Sequence, residues 1–162
     1  MIKVGVSALT LSFALAVATA AQRPTDIVKW SAQPAAMTVR AGGTAKIALT
    51  ARIEDGWKLY SLTQPKGGPI ALAIGVAKGA PFTLSTKDIT SPAPKVEKDE
   101  AFSKDTQYYE TEAAFVLPVG VSKTATPGAH SVPLEVTFQA CGKEICLRPF
   151  TQKLEVQITV LK

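Results

Sequence analysis

Ala45-Lys-Ile-Ala-Leu-Thr-Ala-Arg-Ile53 places Ile47, Leu49 and Ala51 on one side of an extended chain and mostly polar residues on the other. A period of two over this length is the pattern of a strand with one face buried and one face wet. Working outward, comparable short runs recur at Trp57 to Leu62, Ile70 to Val76, Phe82 to Ser85, Glu112 to Pro118, Val132 to Phe138 and Leu154 to Leu161, most of them rich in branched or aromatic residues. Turn signals separate several of them: Ala41-Gly-Gly43, Asp55-Gly56, Lys66-Gly-Gly-Pro69 and Pro127-Gly128. No long amphipathic helix interrupts the series. About seven strands in a chain of this size predict an all-β fold, a two-layer antiparallel sandwich for which the immunoglobulin-like form is the commonest solution.

The amino-terminal end reads differently. Lys3 precedes a small and apolar run from Val4 to Val17, followed by Ala18-Thr-Ala20. A basic start, an apolar run and an A-x-A cleavage pattern make residues 1–20 a secretory signal peptide. The run is broken by Ser7, Thr10 and Ser12 and falls short of the ~20 apolar residues a spanning helix needs. The mature chain is expected to be residues 21–162, one domain, monomeric, not inserted in a membrane and held in an oxidising space. Loss of Lys3 lowers the formal charge of +5 by one. The remaining lysines are scattered among acids. Lys95, Lys98 and Lys104 alternate with Glu97, Asp99, Glu100 and Asp105, which predicts a solvated loop and excludes a nucleic-acid groove.

Chemistry converges on Phe138-Gln-Ala-Cys-Gly-Lys-Glu-Ile-Cys-Leu-Arg-Pro149, which holds both cysteines of the chain. A bond between Cys141 and Cys146 closes a six-residue ring and constrains the unfolded chain by roughly 2 kcal/mol, against ~4.7 for a 100-residue loop. So small a gain leaves two readings open, an exchangeable dithiol and a structural clip on a hairpin. Strands on either side place the pair at a tight connection on a sheet edge. Gly142 is expected to supply a backbone angle other residues resist, and Pro149 to discourage pairing at the start of the next strand. Lys143 and Arg148 favour a thiolate, offset in part by Glu144. The single histidine, His130, expected in a surface turn, and two cysteines this close make a poor zinc set. Met37 alone makes no copper site, and no glycine-rich segment opens a helix as phosphate binding would require. No cofactor is expected.

The cysteine segment, continued by Leu154-Glu-Val156, resembles the amino-terminal periplasmic domain family of the thiol:disulfide interchange protein DsbD. Glu54-Asp-Gly-Trp-Lys-Leu-Tyr-Ser61 and Tyr109-Glu-Thr-Glu-Ala-Ala-Phe-Val-Leu-Pro-Val119 agree with it in order. The resemblance implies an immunoglobulin-like domain in the periplasm. Cys141 and Cys146 would then be its catalytic redox pair; the family pattern points to the first, Cys141, as the sulfur that forms mixed disulfides, whereas nearness to Pro149 keeps Cys146 a candidate, and the lean here is to Cys146. It also implies a cap loop over the pair, for which Asp99, Glu100 and Phe102 are the candidates, and an aromatic beside the thiols at Tyr60. Two departures stand out: Ala101 follows the acidic pair where the capping aromatic is expected, and Lys58 replaces another aromatic. Full DsbD continues into a membrane domain and a thioredoxin-like domain, whereas this chain stops at Lys162. Its expected partners are therefore periplasmic thioredoxin-fold oxidoreductases and a separate membrane thiol reductase. The alternative is a non-catalytic sandwich module that binds through its loops and carries a permanent disulfide.

Overall fold

A computed structural model describes residues 22–34 and 37–162, so the predicted signal peptide lies outside the described residues. Among the described residues helix is confined to one turn at Pro24–Ile27 and a 3-10 turn at Thr86–Asp88, and no helix is long and apolar enough to cross a membrane. The strands are β1 (Val28–Pro34), β2 (Thr38–Arg40), β3 (Thr44–Ile53), β4 (Lys58–Tyr60), β5 (Ala73–Val76), β6 (Phe82–Leu84), β7 (Lys95–Asp99), β8 (Lys104–Tyr109), β9 (Glu112–Val121), β10 (Gly128–Phe138), β11 (Ala140–Cys141) and β12 (Phe150–Leu161).

The alternation in β3 does what its sequence predicts. Ala45, Ile47, Leu49, Ala51 and Ile53 are all buried, and the residues between them are not. β9 answers in antiparallel register, with Ile47 opposite Leu117 and Leu49 opposite Phe115. This pair forms the centre of a sheet ordered β1-β3-β9-β6. A second sheet, β2-β12-β10-β5, turns Val132, Leu134, Val136 and Phe138 of β10 and Val156, Ile158 and Val160 of β12 inward. The two inner faces merge into one apolar core. The Trp30 ring lies 6.2 Å from Phe115 of the first sheet and 5.7 Å from Phe138 of the second, joining the layers. Each fully buried Leu or Phe of such a core contributes roughly 1.5–3 kcal/mol. The result is the expected β-sandwich. Its strand pairs are antiparallel, except that β2 runs parallel to β12.

A third, smaller sheet ordered β11-β4-β8-β7 positions the cysteines. It begins with a tight turn in which the Trp57 amide donates to the Glu54 carbonyl at 3.1 Å and Gly56 takes φ +80°, as the Asp55-Gly56 signal implies. Because side chains alternate across a strand, Leu59, Tyr109 and Ala140 reach into the sandwich core while the opposite face carries Tyr60, Tyr108 and Cys141.

Three expectations need correction. The Lys95–Asp105 stretch is not a solvated loop: it is the hairpin β7–β8, in which Lys98 faces Asp105 and Asp99 faces Lys104. Alternating charge here marks cross-strand pairs of opposite sign. His130 lies within β10, not in a turn. Its Nε2 sits 2.6 Å from the Thr126 carbonyl oxygen and its ring meets Phe82 edge-on. β1, not among the expected strands, alternates as clearly as β3, with Val28, Trp30 and Ala32 turned toward the core.

Candidate functional site

Residues 138–147 build the site by changing sheets. β10 ends at Phe138, and after Gln139 the chain pairs with β4, placing Ala140 opposite Leu59 and Cys141 opposite Lys58. Gln139 braces the crossing, since its side-chain amide donates to the Leu147 carbonyl at 3.1 Å and its oxygen accepts from the Ile70 amide at 3.4 Å. The chain then doubles back. The Leu147 amide donates to Ala140 O at 2.9 Å and the Gly142 amide to Ile145 O at 2.8 Å. Cys141 and Cys146 fall between these bonds as a directly opposed pair with Cα atoms 4.0 Å apart, and their sulfurs are bonded. Opposed residues outside the hydrogen-bonded positions of an antiparallel ladder are its closest neighbours. A separation of five residues thus meets a tight hairpin, and the disulfide follows.

The two sulfurs differ in their surroundings. Cys141 is 3% exposed and packs with Tyr60 and Tyr108, whereas Cys146 is exposed on the return strand. Gly142 does not adopt the positive φ expected of it. A β-carbon at this position would meet three ring atoms of Trp57 at 3.6 Å, ordinary contact. Trp57 therefore joins the core to the cysteine hairpin. Pro149 ends the connection, but β12 starts at the very next residue, with Phe150 already paired to Phe138, four residues before the expected start at Leu154.

A cavity of about 410 Å³ opens beside the disulfide, lined by both cysteines, Lys58, Tyr60 and the tip of the β7–β8 hairpin. Lys143 and Glu144 reach its lining, but Arg148 does not, so of the two expected cations only the first lies at the cavity. Asp99 accepts from the Tyr60 hydroxyl at 2.9 Å and from the Ala101 amide at 3.0 Å, which folds the hairpin tip back. Glu97 accepts from the Tyr108 hydroxyl at 2.7 Å and from Lys58 Nζ at 3.0 Å, and that ammonium rests 4.2 Å from the centre of the Tyr108 ring. Burial, and then the bond to Asp99, push the Tyr60 hydroxyl far above the ordinary tyrosine value. Tyr108 is pushed up to about 12, chiefly by its bond to Glu97. Glu97 is held below the usual carboxylate range by Tyr108 and then by Lys58. Both phenols therefore stay protonated donors, and Glu97 stays ionised near neutrality.

Residues 26–158 match the family described as "Thiol:disulfide interchange protein DsbD, N-terminal". The chain belongs to this family. Among solved structures, it is similar to the DsbD N-terminal domain of Neisseria meningitidis in its reduced form, with a TM-score of 0.53 and 16% identity over 85% of this chain and 90% of that one. It is also similar to the N-terminal periplasmic domain of ScsB from Proteus mirabilis, with a TM-score of 0.53 and 20% identity over 86% of this chain but 49% of the other. These likenesses carry the fold, an immunoglobulin-like sandwich. Comparison with curated protein sequences finds no match.

For a member of the DsbD N-terminal family, the site candidates read from sequence come together. Cys141, Cys146, Tyr60, Asp99 and Glu100 line one cavity. Phe102 lies at the hairpin tip and packs edge-on against Tyr60, ring centres 6.1 Å apart, in the cluster that includes Cys141. Ala101, in the place expected for the capping aromatic, faces the cavity itself. Sequence reasoning missed Glu97, Tyr108 and the bridging use of Lys58. The available signal was the alternation of charge along β7 and β8, which as a hairpin places Glu97 and Asp99 on the face of β4 that bears Lys58 and Tyr60.

Proposed function

We propose that this protein is a periplasmic thiol–disulfide exchange carrier, a domain of residues 21–162 released from a signal peptide of residues 1–20, with Cys141 and Cys146 as its redox pair. The observation that carries the reading is an exposed residue, Cys146, disulfide-bonded to a buried one, Cys141, at a cavity edged by the β7–β8 hairpin. An incoming donor thiolate attacks the sulfur it can reach, Cys146 Sγ. The Cys141–Cys146 bond breaks, Cys141 leaves as a thiolate and takes up a proton, and a donor–Cys146 mixed disulfide forms. The donor's second thiol then attacks its own mixed-disulfide sulfur and releases Cys146. Two electrons and two protons have passed to the pair, and the donor is left oxidised. Run in reverse against an oxidised client, Cys146 attacks and Cys141 resolves. The chemistry suits donors and clients that present a dithiol on a small protruding surface, as thioredoxin-fold oxidoreductases do, with a membrane thiol reductase as the source of electrons.

Equilibration with glutathione buffers tests the reading. An exchange pair has a potential above about −300 mV, where structural bridges usually fall below it. In cells, Cys141→Ser leaves the exposed thiol and is expected to accumulate mixed disulfides, while Cys146→Ser leaves the buried one and accumulates few. A pair that stays bonded in every physiological buffer, with no trapped species from either variant, returns the protein to the non-catalytic module.

A further inference from the structure

β7 is the edge strand of the third sheet, and none of its residues is buried. Apolar burial therefore does not hold it in place. Its backbone ladder ties it to β8, but its posture over the cysteines depends on side chains that reach back toward β4. From β4 itself, Lys58 reaches out to meet them. It stands on β4 directly opposite Cys141, and its side chain crosses the whole width of β8 to reach Glu97 on β7. Adjacent strands are about 4.8 Å apart, so this span of two strands suits an extended lysine and few other side chains. Its ammonium is held from two sides, by the Glu97 carboxylate at 3.0 Å and the Tyr108 ring at 4.2 Å, and Tyr108 donates to the same carboxylate oxygen. An exposed ion pair alone contributes little. Here the lysine side chain is only 31% exposed and the aromatic face adds a second attraction.

We propose that Lys58 is a positioning residue for disulfide exchange: pinned between Glu97 and the Tyr108 ring, it clasps the β7–β8 hairpin beside the Cys141–Cys146 bond and sets how often that bond is open to an incoming thiol. This rests on the exchange reading above. The residue touches neither sulfur's reaction partner; it acts through the hairpin. Because the Lys58–Glu97 link is an ion pair, the clasp loosens in salt, so ionic strength becomes a control on exchange.

The test is the rate at which dithiothreitol reduces the oxidised full chain, followed by the fluorescence of Trp57 beside the hairpin, with thermal unfolding of the same samples in parallel. Lys58→Met and Glu97→Gln are each expected to speed reduction about three- to tenfold. The double variant should be no faster than either single, because one clasp cannot be opened twice. Added salt at 0.5 M should speed the wild type toward the variants and leave the variants unchanged. Lys95→Met, which removes a cation from β7 and its ion pair with Glu110 without touching the clasp, should keep the wild-type rate. Unchanged rates in Lys58→Met, additive effects in the double variant, or equal acceleration by Lys95→Met would each overturn the clasp. Exchange itself is judged separately, by transfer from a thioredoxin-fold donor. If wild-type protein is reduced by dithiothreitol but not by any such donor, the carrier reading fails while the clasp still stands or falls on the Lys58→Met rate.

Discussion

The sandwich and the cysteine sheet are made of the same kind of strand but held by different forces. β3 buries five alternate residues against β9 and the opposite sheet, whereas β7 buries none and is tied down by Glu97 and Asp99. The apolar half keeps one geometry because any displacement opens a void. The side-chain bonds that tie β7 down lie near the surface, where water can replace them at small cost. The disulfide sits on the boundary, its Cys141 end packed and its Cys146 end exposed. The difference teaches that a rigid frame delivers the sulfurs, while a hairpin tied by polar bonds edges the cavity beside them, the part to which the proposal above gives control of access.

Leu134→Ala breaks the comparison most severely. This fully buried side chain should cost about 2–5 kcal/mol in denaturant unfolding, with little change in the reduction rate of the protein that remains folded. A core substitution that altered thiol access as much as stability would mean that the two halves are one mechanical unit. Replacing both cysteines by serine should come next. The small ring predicts a loss of roughly 2 kcal/mol and a protein that still folds, as a domain that cycles through its reduced form requires. Unfolding of that variant at ordinary temperature would make the bond structural.

Tyr60→Phe is smaller again. It removes the hydroxyl bond to Asp99 and should cost about 1 kcal/mol or less, yet speed reduction of the disulfide. Equal reduction rates would separate the Tyr60–Asp99 bond from cap posture.

The gentlest probe is alkaline titration. All three tyrosines, Tyr60, Tyr108 and Tyr109, are raised above the ordinary value of 10.0, Tyr60 and Tyr109 first by burial and Tyr108 first by Glu97. A raised folded value means that the unfolded chain ionises first. The stability they provide is present below pH 10 and is lost as pH rises through the folded values. Absorbance of the native protein should therefore show no phenolate transition at the ordinary position. Glu97 has the opposite sign. Its depressed value makes its contribution complete above the usual carboxylate range, lost as pH falls through the folded value. Reduction of the disulfide relative to free small-molecule disulfides should thus quicken in acid, with Glu97→Gln abolishing the effect.

Much of this was legible before any coordinates. Ile47, Leu49 and Ala51 announced a half-buried strand, and Asp55-Gly56 announced a turn, because period and turn chemistry are local. The cysteine pair was legible from its spacing, whereas the acidic stretch became a candidate only through the resemblance to the DsbD N-terminal family. The β7–β8 hairpin was not read. β7 carries charge where a core strand carries Val or Ile, since an edge strand outside the core needs no apolar face. Gly142 also takes an ordinary backbone angle, and its place beside Trp57 depends on how the cysteine hairpin docks and not on the turn itself.

The sequence by itself determined the strand alternation, the closeness of the only two thiols and the family to which they belong, for these follow from spacing along one chain. Only the tertiary structure decided that Cys141 is buried and Cys146 open, and that Lys58 reaches Glu97 across Tyr108. Exposure and cross-strand contact depend on which strands end up side by side, and residues 39 positions apart become neighbours only when the sheet is formed.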